Sequence, residues 1–270
     1  MQKLNDILDR FGITDRANIK LNNGLIIKAH KLRRAGFDES QDLYAIIFVI
    51  PYLTKSNGKN ISAYAISRDY HLYFKELFNE AVPMLKEAYP NYSFAGFADD
   101  SPINERLAAS IGGLGLLGNN GLIITEKYSS FVFIGEIITN MPLDTVAFDP
   151  KYCEGCGRCQ RECPKSECGI CLSALTQKKG ELTSREQQAI KAHGSVWGCD
   201  ICQEVCPHTE KAKIAGTIYT SIVFFEEKTL SHLSCEVIDA MKDEEFSERA
   251  YSWRGRDTVR RNILIFEDDD

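Results

Sequence analysis

Nine of the chain's ten cysteines fall between Tyr152 and His208, and their spacing is that of thiolates gathered around iron. The first run reads Cys153-x2-Cys156-x2-Cys159-x3-Cys163-Pro164 and the second Cys199-x2-Cys202-x3-Cys206-Pro207. In such runs three thiolates hold one [4Fe–4S] cluster and the cysteine before proline reaches the other. Zinc also uses paired C-x2-C ligands, but the further cysteine closed by proline in each run favours iron–sulfur. The chemistry implied is the movement of single electrons.

Two cubanes need eight ligands, and the region offers nine cysteines. The crossover rule gives Cys153, Cys156 and Cys159 to one cluster with Cys206 as their fourth partner. Cys163, Cys199 and Cys202 then serve the other cluster, whose last ligand is either Cys168 or Cys171. Whichever of these two is left over is a small buried hydrophobe or a free thiol. Cys235 stands apart in a helical pattern and reads as a core residue.

These ligands need a scaffold, and 270 residues can bury a sizeable core in one large or two modest domains. No apolar run reaches the ~18 residues that a membrane span requires. Met1-Gln-Lys-Leu opens an amphipathic segment rather than a signal peptide, and Arg33-Arg34 lacks the apolar stretch of an export signal. Tight cysteine pairs without a signal point to metal in a reducing cytoplasm, not to disulfides. A net charge of −6 excludes a surface that is basic all over. Arg254, Arg256, Arg260 and Arg261 form a local basic patch, which the acidic tail from Glu267 follows at once.

Leu4, Ile7, Leu8 and Phe11 predict a helix over residues 3–11. Residues 44–50 read as a buried strand, 69–89 as a helix ending before Pro90, and 92–98 as a strand delivering Asp99 and Asp100. Pro102 sits where a helix can begin, continuing through Ser110. A glycine-rich loop follows, from Gly112 to Gly121, without the Gly-Lys-Ser/Thr of a phosphate-binding loop. Strands are expected over 121–125 and 131–139, a polar helix over 180–195, and helices over 217–266. Strands alternating with helices in residues 1–149 predict an α/β or α+β sandwich. Composition turns to cysteine, glycine and charge near Asp149-Pro150, which places a boundary there. The expected divisions are 1–149, 150–216 and 217–270.

The motifs resemble those of the epoxyqueuosine reductases, cobalamin-dependent iron–sulfur enzymes of queuosine synthesis in tRNA. Ile61-Ser-Ala-Tyr64-Ala-Ile-Ser-Arg68-Asp69-Tyr70-His71 is similar to that family's RYARGRDYH, and Asp99-Asp-Ser-Pro-Ile-Asn-Glu105 to its DTAPVLE. Gly113-Leu-Gly-Leu-Leu-Gly-Asn119 resembles GLGWIGK, with Leu116 and Asn119 where the family has Trp and Lys. Phe133-Ile-Gly-Glu136-Ile resembles FLGEI, Cys171-Leu-Ser173-Ala-Leu-Thr176 resembles CISYLT, and Gly198-Cys-Asp-Ile-Cys-Gln203 resembles GCDDCQ.

The resemblance implies an α+β chain: a nitroreductase-like, cobalamin-binding sandwich, a two-cluster ferredoxin-like module and a short helical C-terminus. It implies a short member without the helical-repeat domain that follows in the family. It selects Cys171 over Cys168 as the second cluster's last ligand. Cobalamin would be lined by Tyr64, Arg68, Asn119 of the glycine loop and Ser173, next to Asp99. Asp99 takes the position of the family's proton donor, provided that burial holds its proton, and Asp100 beside it would resist joint ionisation. Capping of the next helix is the alternative role for Asp99. His71 reads better as a hydrogen-bonded residue at a helix start than as a cobalt ligand. The implied electron donor is a low-potential ferredoxin or flavodoxin and the implied substrate lies in tRNA, with no membrane partner. The alternative is a cobalamin-free two-cluster electron carrier.

Overall fold

Tyr44–Pro51 is a run of apolar, largely β-branched residues without a charge, and it forms the strand around which the first half of the chain assembles. The computed structural model describes residues 2–22, 24–38, 40–56, 58–165 and 169–267. They divide into two compact units, one of Met1–Pro51 with Tyr73–Cys156 and one of Tyr52–Leu72 with the residues from Gly157 on. The later crossing lies close to the composition change at 149–150. The excursion 52–72 carries no such mark in the sequence.

The first unit holds an antiparallel sheet of β1 (Arg16–Lys20), β2 (Tyr44–Pro51), β3 (Phe94–Ala98) and β6 (Val132–Thr139), in the order β1-β2-β6-β3. The central pair β2 and β6 is buried along nearly its whole length, as continuous apolar runs require. The α+β class follows from this: every ladder of the sheet is antiparallel, so its strands need no helical crossovers. Helix α1 (Gln2–Arg10) buries Leu4, Ile7 and Leu8, and a short α2 covers Ala29–Arg34. Helix α3 (Tyr70–Ala88) presents Phe74, Leu77, Ala81 and Leu85 at helical spacing. Phe74 and Phe78 lie against two strand glycines: a Cβ on Gly135 would meet Phe74 at 2.6 Å, and one on Gly96 would meet Phe78 at 2.2 Å.

Two local expectations change. The helix after Asp99 does not begin at Pro102. It is α4 (Glu105–Ile111), whose N-cap is Asn104, its side chain accepting the Leu107 N–H. Expected strand 121–125 shrinks to β5 (Ile123–Ile124), which pairs only with β4 (Leu116–Leu117) inside the glycine loop. Closely spaced glycines and Asn120, which accepts the Leu122 N–H, favour turns over a longer ladder.

The second unit is built of short helices around Trp197, Ile238, Tyr251, Val259 and Ile263. Ser184–His193 forms the polar helix, closed by a Thr183–Glu186 capping box. The C-terminal helix Arg256–Glu267 is tied in by buried Asn262, whose amide donates to Thr176 O at 2.7 Å and Val196 O at 2.8 Å. Its arginines are spent internally: Arg256 on Met241 O and Asp243, Arg260 on Asp239, and Arg261 on Lys178 O and Gly180 O. Of the expected basic patch, Arg256 and Arg260 are thus paired with carboxylates of their own unit, while residues 268–270 of the acidic tail lie outside the described residues. No helix among the described residues is long and apolar enough to cross a membrane.

Candidate functional site

Two groups of side chains with chemistry stand in the two units. In the second unit, Cys171 is the N-cap residue of the helix Leu172–Thr176. Thr176 Oγ1 accepts the Gly198 N–H at 3.0 Å and donates to Ser173 O, so the helix that carries Cys171 is fastened beside Cys199. Segment 60–64 braces the same run. Val196 N donates to Asn60 O, Ser62 N to Trp197 O, and the half-buried Asp200 carboxylate accepts from Ser62 Oγ and Ala63 N at 2.6 Å each. Gly198 has φ +76°, and a Cβ there would lie 2.4 Å from Ser62 Cβ, so glycine is required for this approach.

Burial pushes the Cys199 thiol up to about 11 and the Cys202 thiol up to about 12, and Cys163 and Cys171 bear on both. The structure thus brings Cys163, Cys171, Cys199 and Cys202 within electrostatic reach of one another, with Cys159 acting on Cys202 most weakly. Thiols this hard to ionise alone become thiolates when a cation binds them. No three His, Cys, Asp or Glu side chains among the described residues converge on a single ion. A cubane does not ask for that, because each of its cysteines ligates a different iron. Cys168 lies outside the described residues. Cys206 is buried at the N-cap of Pro207–Ala215.

In the first unit, Cys153 and Cys156 follow the glycine loop. Leu117 N donates to Lys151 O, Cys153 N to Leu117 O, and Asn119 N to Cys153 Sγ at 3.4 Å. Asn119 therefore meets a cysteine sulfur through its backbone.

The remaining expected cofactor residues lie in the second unit and are engaged there. Tyr64 Oη accepts Trp197 Nε1 at 2.8 Å, and Gln177 Nε2 donates to Ser173 Oγ and, at 3.5 Å, to Tyr64 Oη. Arg68 faces Glu248 at 3.3 Å and stacks on Phe224. His71 Nδ1 lies 2.7 Å from Asp69 Oδ1, in the first turn of its helix.

The acidic group of the first unit differs from expectation. Asp99 follows β3 with φ +64°, a conformation that costs a non-glycine residue about 1–3 kcal/mol and gathers at functional sites. It is exposed, and it does not cap the next helix, since Asn104 does. Asp100 is no partner in shared protonation: Lys28 and Lys31 hold it, pulling its carboxyl down to about 2. Burial falls instead on two acids that carried no role in the sequence reading. Glu105, first residue of α4, is pushed up to about 7 by burial and by the Asp99 charge. Glu136, fully buried in β6, is pushed well above the usual carboxylate range by burial, with Ser101 opposing and Glu105 adding to the shift. Glu105 ends one quoted motif and Glu136 stands within another, and an acid inside the apolar run Val132–Thr139 is the sequence signal that could have exposed Glu136.

No protein-family model matches the chain. Over 251 residues it is 31% identical to the epoxyqueuosine reductase of Listeria monocytogenes, covering 85% of this chain and 64% of that one. The epoxyqueuosine reductase of Gloeobacter violaceus is 30% identical over 209 residues, 74% of this chain and again 64% of the relative. The chain thus spans less than two thirds of the length of these curated relatives. Its fold matches the epoxyqueuosine reductase of Streptococcus thermophilus with a TM-score of 0.75 at 20% identity, over 98% of this chain and 80% of that one. A crystal structure of an epoxyqueuosine reductase with an epoxyqueuosine-modified tRNA-Tyr stem loop matches at 0.76 with 21% identity and the same coverage.

Proposed function

The chain is a relative of the epoxyqueuosine reductase family, and from that premise we propose that it is an iron–sulfur oxidoreductase that removes the oxygen of an epoxide to leave an alkene. The observation that carries the reading is the 31% identity over 85% of the chain. The substrate proposed is epoxyqueuosine, within a tRNA stem loop or as the free nucleoside.

Two [4Fe–4S] clusters would be held by Cys153, Cys156, Cys159 and Cys206, and by Cys163, Cys171, Cys199 and Cys202. Such clusters pass single electrons from a low-potential donor of the ferredoxin or flavodoxin type. Support for the second set is the thiol neighbourhood described above, with Thr176 and Asp200 fixing its backbone. Cobalamin, when bound, would supply a strong reductant and nucleophile toward the epoxide carbon. Its fit rests on the resemblance. Tyr64 and Arg68 are occupied by Trp197 and Glu248, so their part here is to hold the 61–71 segment.

Loss of the epoxide oxygen as water takes two electrons and two protons. Asp99, exposed on a strained turn at the end of β3, is the group proposed to deliver a proton to the departing oxygen. The test is anaerobic turnover of epoxyqueuosine, free and in a short hairpin, with reduced donor and added cobalamin. Formation of the alkene is expected. Absence of product from both substrates sinks the substrate reading, and absence of any spectral change with cob(II)alamin leaves the electron carrier in its place.

A further inference from the structure

The reaction proposed above consumes two protons, and Asp99 carries one. The first unit places two more carboxyls behind it. Glu136 stands in β6 opposite Phe97 of β3, two residues before Asp99. Ser101 is buried in the turn that follows, its Oγ accepting the Ile103 N–H at 3.0 Å, and Asn104 then starts α4 so that Glu105 is its first residue. Oε2 of Glu105 is buried without a hydrogen-bond partner, and the buried Glu136 carboxyl has only the Ser101 hydroxyl to set against its burial. A buried polar group without a partner costs about 1–3 kcal/mol. Two buried carboxyls that act on each other and share so few partners, next to a strained aspartate, call for a reason other than stability.

We infer that Glu105 and Glu136 are proton-holding, positioning residues that recharge Asp99, forming the relay Glu136–Glu105–Asp99 with Glu105 as the middle member. The inference rests on the deoxygenation reading for its chemistry. Both C–O bonds of the epoxide break, a C=C π bond forms, two electrons enter from the low-potential donor and the oxygen leaves as water. Asp99 gives a proton to that oxygen, takes one from Glu105, and gives the second. Glu105 is refilled by Glu136 or by solvent.

Charge around the group agrees with this order. Glu105 is faced by Asp99 from the turn after β3, by Arg106 of its own helix and by Lys28 from the segment before α2. Burial and Asp99 outweigh the two cations, so Glu105 titrates near 7 and can both accept and release a proton at neutral pH. Glu136 is faced by Ser101 and Glu105, and its burial favours the protonated form. Asp100, tied to Lys28 and Lys31, takes no part.

Two measurements on the full-length, cluster-loaded chain test the relay, and one needs no turnover. In infrared difference titration, the Glu105 carboxyl, assigned by its loss in Glu105→Gln, should titrate near 7 and fall toward its ordinary range of about 4.5 in Asp99→Asn. A Glu105 midpoint that ignores Asp99→Asn overturns the proposal, whatever the substrate is. In turnover, Glu105→Gln and Glu136→Gln should lower kcat by about ten- to a hundredfold with KM unchanged. Glu105→Gln should also erase the ionisation near 7 from the kcat profile, and Glu105→Asp should restore part of the rate. Unchanged kcat and pH profiles in both glutamine variants would overturn it, as would losses that track KM or melting temperature alone. Lack of turnover by the wild-type chain would count against epoxyqueuosine as substrate, and the infrared coupling would then decide the relay.

Discussion

At the scale of one residue, the part proposed for Glu136 sets function against stability. Its carboxyl is fully buried, with only the Ser101 hydroxyl to offset that burial. Replacement by methionine, of similar length and without the polar atoms, should therefore raise stability by about 1–3 kcal/mol, read as a higher denaturant midpoint, while turnover falls. The sign with pH is fixed as well. Both Glu105 and Glu136 have raised folded-state values, so the folded chain binds their protons more tightly than the unfolded chain. Their contribution is fully present below about 4.5 and is lost as pH rises, for Glu105 through about 7. Glu105→Gln should flatten that decline between pH 4.5 and 7 in melts across pH, and a decline as steep as that of the wild type would contradict the assignment. Asp99→Asn should lower turnover by ~10²–10⁴-fold with iron content unchanged. Near-normal turnover would remove Asp99 from the mechanism. The sequence made Asp99 legible as a candidate through its motif, but not the burden of burial. Which acid faces lysines and which faces apolar side chains depends on β3 lying beside β6, and that pairing has no local signature.

At the scale of elements, legibility followed periodicity. The strands over 44–51 and 132–139 and the helix over 70–88 each carry one uninterrupted pattern, and the structure places them within a few residues of expectation. Where glycine and asparagine compete with the ladder, as in β4 and β5, the strand expectation was too long. The excursion 52–72 was not legible as a change of unit, because its partners lie over a hundred residues away: Ser62 and Ala63 bond to Asp200. That brace gives a prediction. Gly198→Ala combines a positive φ with a Cβ 2.4 Å from Ser62. It should cost about 1–3 kcal/mol by overpacking and lower iron occupancy of the second cluster, measured on anaerobically reconstituted protein. Gly12→Ala, which also has a positive φ but meets nothing within 4 Å, is the control and should leave iron unchanged.

Iron content and charge are properties of the whole molecule. Two cubanes predict about eight iron atoms per chain. Cys171→Ser should reduce this to about four, whereas Cys168→Ser should leave it intact, and the reverse outcome would exchange the ligand assignment. Charge bears on the proposed nucleic-acid substrate. The chain carries −6 overall, and Arg256, Arg260 and Arg261, which the sequence grouped as a basic patch, are consumed by carbonyls and aspartates of their own unit. Few cations of that segment remain to displace counterions from phosphates. Binding of an epoxyqueuosine-modified stem loop should therefore depend on recognition of the modified base more than on the backbone. Because log K falls with log salt at about −0.7 per phosphate neutralised on single strands, the slope for this chain should be shallower than about −2. An unmodified stem loop should bind weakly at every salt concentration. Arg260→Gln should leave the slope where it was while loosening the tie to Asp239. A slope of about −4 or steeper, reduced by Arg260→Gln, would mean instead that the C-terminal arginines leave their internal partners for phosphate when RNA arrives.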